Sequence, residues 1–164
     1  KSMLKRDKPA GILLSRQNLP VVDRATHGDA AGVDQGAYIL KDSQNPIAII
    51  IATGSEVSIA LEAQKVLAEK NISVRVVSAP CIEWFNEQSR TYRDEVLPPS
   101  ITNRVSVEAG IAQGWRELIG DKGTSISLEH YGASASASVL FKEFGFTIEK
   151  IVSAAKESIK KANG

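Results

Sequence analysis

The chain has 164 residues, 43% of them hydrophobic and 24% charged, which fits one globular domain with a single core. Twenty basic residues against nineteen acidic ones leave a net charge of +1, so the electrostatic footprint of a nucleic-acid binder is missing. The longest apolar run, Ile47 to Ala52, is too short to span a bilayer, and the single cysteine, Cys81, permits no internal disulfide. A cytoplasmic home is the expectation. No apolar signal stretch follows the first residues, and a start on Lys1 suggests a piece of a longer protein.

In chain order, Gly11-Ile12-Leu13-Leu14 reads as a lone strand running into the loop Ser15–Pro20. Residues 21–36, rich in Asp, Gly and Ala without a sustained period, read as a linker. Ala37–Lys41 is a short strand. Ile47–Ala52 is a continuous β-branched run of the kind buried on both faces of a parallel sheet. Thr53 followed by Glu56 matches a capping box, and Val57, Ala60, Leu61, Gln64, Leu67 and Ala68 continue at helical spacing up to Asn71, a plausible left-handed stop. Val74–Ser78 is a strand stopped by Pro80, and Asn86–Val96 a polar helix stopped by Pro98-Pro99. Arg104–Glu108 is a strand, Gln113–Ile119 a short helix, Ser125–Leu128 a strand and Ser136–Phe144 a helix closed by Gly145. Thr147 then caps a final helix whose apolar stripe is Ile148, Ile151, Val152, Ala155 and Ile159, with Lys156, Lys160 and Lys161 towards its C-terminal end. Strands alternating with helices of this length predict an α/β fold, a three-layer domain with a mostly parallel sheet.

Few residues suggest chemistry unaided. His27, His130 and Cys81 show no metal-ligand spacing, and Cys81 has no base beside it in sequence. Ser15 and Ser55 sit in no nucleophile elbow. Thr53, Gly54 and Ser55, between a strand end and a helix start, form a possible small-anion site, though a capped helix start is the plainer reading. Arg16 by itself is an ordinary loop arginine. Trp84, Phe85 and Trp115 suit either the core or an interface.

Several collinear stretches carry more. Ser15-Arg16-Gln17, Thr53-Gly54-Ser55-Glu56-Val57, Val76-Val77-Ser78-Ala79-Pro80-Cys81, Arg93-Asp94-Glu95-Val96-Leu97-Pro98, Val107-Glu108-Ala109-Gly110 and Phe141-Lys142-Glu143-Phe144-Gly145 stand in the order and spacing of the end of a transketolase. The resemblance runs from about Pro9 onward. Dihydroxyacetone synthases share the Ser15-Arg16-Gln17 segment and remain an alternative, as does an autonomous anion-binding module. The resemblance implies a transketolase C-terminal-domain fold over 37–164, with 1–20 the end of the preceding pyrimidine-binding domain and 21–36 the linker.

It also implies thiamine-diphosphate-dependent transfer of two-carbon ketol units between sugar phosphates in the pentose phosphate pathway, with a divalent metal (Mg²⁺ or Ca²⁺), in a homodimer. Arg16 would hold the substrate's phosphate in the full enzyme. The family's Gly-Asp-Gly cofactor motif is absent, Gly28-Asp29-Ala30 lacking its second glycine. The chain alone is therefore expected to bind neither cofactor nor metal, and to have no catalytic residue. The stub 1–20 is expected to be mobile, because a lone strand does not stay folded in water.

Overall fold

The computed structural model describes residue 3 and residues 7–163, the side chains of 162 and 163 excepted. Five strands form one sheet: β1 (Tyr38–Lys41), β2 (Ala48–Ala52), β3 (Val74–Ser78), β4 (Arg104–Val107) and β5 (Thr124–Ile126), in spatial order β1-β3-β2-β4-β5. β3, β2, β4 and β5 run parallel, Ile50 lying level with Val76 on one side and Val105 on the other. β1 closes the β3 edge in antiparallel sense, with an irregularity between Ile39 and Lys41. Such an edge on a parallel sheet is common.

β2 is buried at all five positions because helices cover both of its faces. On one face Ala48, Ile50, Val76 and Val105 meet α1 (Glu56–Ala68) and α6 (Ile148–Asn163). Ile151 and Ala155, from the predicted stripe, are fully buried there. On the other face Ile49, Ile51 and Val77 meet Phe85 of α2 (Ile82–Asn86), Val96 of α3 (Arg90–Val96) and Leu118 and Ile119 of α4 (Arg116–Ile119). Each such aliphatic side chain taken from water contributes about 1.5–3 kcal/mol. α5 (Ala137–Glu143) precedes Gly145, whose φ of 79° turns the chain into α6.

Several boundaries differ from the sequence reading. The polar helix expected over 86–96 forms only over α3, behind Ser89, which is extended and whose hydroxyl accepts from the Tyr92 N–H; α2 precedes it as a helix the sequence reading did not expect. The helix over 113–119 begins as a 3₁₀ turn, Ala112–Trp115. α1 begins after Ser55, not Thr53, and the capping box is not made. No strand forms over residues 11–14, where Ile12, Leu13 and Leu14 are 67%, 97% and 80% exposed, because among the described residues no partner strand lies beside them. Asn71 takes the left-handed conformation expected of it, at φ 57°.

Residues 28–36 lie close against β1. The Gly28 N–H donates to the Leu40 carbonyl at 2.7 Å, and Asp29 caps the 3₁₀ helix Ala30–Gln35 by accepting from the Ala31 N–H. Gly36 has φ 82°, and a Cβ there would strike the Phe85 nitrogen and the Cys81 carbonyl. Only glycine permits both that conformation and that approach.

Candidate functional site at the strand ends

In an open parallel sheet the carboxyl ends of the strands and the helix starts behind them converge. Here Thr53 leaves β2, Pro80 and Cys81 leave β3 and Glu108 leaves β4, and with Trp115 they line a cavity of about 760 Å³. Glu83, Glu108 and Glu117 line it, and a fourth carboxylate, Glu56, stands at the helix start behind Thr53. Glu56, at the first turn of α1, is only 4% exposed. Its carboxylate accepts from the Ser55 hydroxyl at 3.2 Å, and the nearby backbone N–H groups of Glu56 and Ala109 favour its charged form. Burial pushes its pKa above the ordinary carboxylate range. Those donors pull it back, and the Glu108 carboxylate pushes it further up. Glu108 accepts from the indole N–H of the buried Trp115.

This arrangement bears on the anion site read from Thr53, Gly54 and Ser55. The helix start already holds a carboxylate of the chain itself, which complements the positive end of the helix dipole, with Glu108 adding negative charge. A second anion would meet repulsion there. Cys81 lines the same cavity, and its thiol donates to Glu83 Oε2 at 3.4 Å. Burial first, and Glu83 after it, push the thiol pKa up, so the thiolate needed for a nucleophile is disfavoured. Sequence reasoning missed Glu56 as a buried group and Glu108 as its neighbour. The only signal was the position of each just beyond an apolar strand.

The remaining candidates lie elsewhere. Arg16 is exposed in the segment before residue 21 and does not line the strand-end cavity. His27 lies in the turn at Asp23, its Nδ1 2.9 Å from both the Asp23 carbonyl and the Thr26 hydroxyl. His130 packs edge-on against Phe144 at 5.1 Å between ring centres. Trp84 and Phe85 belong to α2, and Phe85 is core. Among the described residues no three His, Cys, Asp or Glu side chains are grouped to hold a metal ion. None of the described helices is long and apolar enough to cross a membrane.

The family model described as the transketolase-like C-terminal domain matches residues 36–147. The chain belongs to the transketolase family, as its C-terminal domain.

A transketolase of Mycobacterium leprae is 51% identical over 154 residues, covering 91% of this chain and 22% of that protein. The chloroplastic transketolase of Solanum tuberosum is 45% identical over 159 residues, covering 95% and 21%. Among solved structures, the transketolase of Pichia stipitis in complex with sedoheptulose-7-phosphate superposes with a TM-score of 0.79 at 35% identity, over 91% of this chain and 21% of that one. The Leishmania mexicana transketolase gives 0.74 at 42% identity, over 79% and 19%. The chain thus spans about a fifth of the length of these relatives. The α/β fold with a mostly parallel five-stranded sheet is the transketolase C-terminal-domain fold.

Proposed function

We propose that this chain serves as the C-terminal domain of an enzyme moving two-carbon ketol units between sugar phosphates in the pentose phosphate pathway. The observation that carries this reading is 51% identity to a transketolase over 154 residues. Within such an enzyme the domain's part is structural. It packs on a preceding pyrimidine-binding domain and supports a homodimer.

The exposed Ile12, Leu13 and Leu14 support that placement, since an apolar β-forming run without a partner strand suits the edge of another domain's sheet. On this reading residues 1–20 are the end of that domain and 21–36 the connection. Thiamine diphosphate would supply the carbanion chemistry, with a divalent metal, Mg²⁺ or Ca²⁺, holding its pyrophosphate. The described residues do not fit that metal, having no cluster of three acidic, His or Cys ligands, so no step of the reaction is assigned to them. A cytoplasmic location goes with the reading, its one support in the chain being a single cysteine, Cys81, that cannot form an internal disulfide.

Arg16 is the one residue with an inherited role, holding the phosphate of the sugar through its planar fork of donors. In the full-length enzyme carrying this domain, Arg16→Gln should raise KM for a phosphorylated ketol donor by about tenfold or more, with a far smaller effect on an unphosphorylated donor. Equal effects on the two donors would remove Arg16 from phosphate binding. A full-length protein without ketol-transfer activity would overturn the reading as a whole.

A further inference from the structure

A second cavity, of about 730 Å³, opens on the α2–α3–α4 face near the amino-terminal ends of β4 and β5, with Glu117 standing between it and the strand-end cavity. Four cationic side chains line it: Arg90 and Arg93, one turn apart on α3, Arg104 at the start of β4, and Lys122 just before β5. Three acidic ones, Asp94, Glu117 and Asp121, share its rim. Asp94 is taken up by Arg90, at 3.4 Å.

Arg104 is engaged in holding the fold together. Its guanidinium donates to the carbonyls of Ile101, Leu118, Leu97 and Pro98 at 2.6–3.0 Å. It brings charge without a carboxylate, and burial lowers its pKa.

Arg93 differs from both. Its Nε is buried without a hydrogen-bond partner, and among the described residues no carboxylate forms an ion pair with it. A buried N–H on a charged group, left unmade, carries its full desolvation cost, and such groups call for an explanation. The guanidinium's planar fork matches phosphate oxygens bidentately, and the apolar walls given by Phe85, Leu118 and Ile119 strengthen any charge contact made beside them. The loop bearing Lys122 is fixed, its carbonyl accepting from the buried Ser158 hydroxyl at 3.2 Å.

We propose that this cavity binds a phosphate group, free or carried on a small ester, with Arg93 as its anchor and Lys122 adding positive charge. The test is calorimetric titration of the 164-residue chain with inorganic phosphate and with glucose 6-phosphate. Saturable binding is expected, and Arg93→Met should weaken it by about tenfold or more without lowering the melting temperature of the free protein, because Arg93 Nε has no partner to lose. Tighter binding of the ester would identify a phosphorylated metabolite as the source, and equal affinities would identify free phosphate. Lys122→Met, at an exposed loop position, gives an independent variant and should weaken binding severalfold. No saturable binding of either probe up to about 10 mM, or unchanged affinity in a folded Arg93→Met protein, would overturn the proposal.

Discussion

A carboxylate in the first turn of a helix ordinarily meets both free N–H groups and water; Glu56 meets the N–H groups with almost no water. Because the shift is upward, the folded protein holds the Glu56 proton more tightly than the unfolded chain does. This group's contribution to stability is therefore largest at low pH and declines as pH rises from the ordinary carboxylate value through the raised one. Glu56→Gln should remove that decline. Urea midpoints taken at about pH 4 and about pH 7.5 would show wild type losing more stability than the variant between the two. Equal losses would mean that the ionised carboxylate is not penalised by its site. The sequence showed Glu56 only as the partner in a capping box with Thr53. The structure moves the helix start to Ser55 and turns the carboxylate towards Ala109, far away in sequence. That pairing follows from β2 and β4 being neighbours, and no local pattern reports which strands become neighbours.

At the scale of elements, periodicity worked wherever a helix or strand had one clear face. The stripe on α6 was readable because Ile148, Ile151, Val152, Ala155 and Ile159 recur at helical spacing against a charged opposite face. Ile151 is completely buried between α1 and the sheet. Ile151→Ala should cost about 2–5 kcal/mol, read as a lowered midpoint with an unchanged denaturant slope. A cost below about 0.5 kcal/mol, usual for surface positions, would mean that α6 does not pack on the sheet as described. Periodicity failed over residues 82–96. Ile82 and Phe85 face the core from a single turn, and Ser89 breaks the chain there to cap α3. The break was masked because Asn86, Glu87 and Gln88 are all acceptable in a helix. β1 was legible as a strand but not as the antiparallel edge beside β3, since pairing sense is set by the connection and not by the residues of the strand.

Across the whole molecule, the boundary of the folded unit is the feature that composition described least well. Asp, Gly and Ala between residues 21 and 36 look like a linker, yet Val22 packs against the core formed with α1 and α6. The Gly28 N–H is bonded to β1, and Gly32 and Gly36 sit where a side chain would strike Tyr38 and α2. Those glycines reflect close packing of the backbone as much as freedom of the chain. Residues 9–20, in contrast, are almost wholly exposed, with Lys8 joined to Glu87 at 3.1 Å by an ion pair open to solvent. Such a pair adds between about 0 and 1 kcal/mol. Removing residues 1–20 should therefore leave the domain's stability within about 1 kcal/mol of the whole chain, while removing residues 1–36 should destabilise it by about 2 kcal/mol or more. Thermal and urea unfolding of the two truncations would check this. Equal loss in both would place the folding boundary before residue 20, and no loss in either would make residues 21–36 a true linker. The expected split follows from backbone contact: the backbone first bonds to the sheet at Gly28, about ten residues ahead of the first strand.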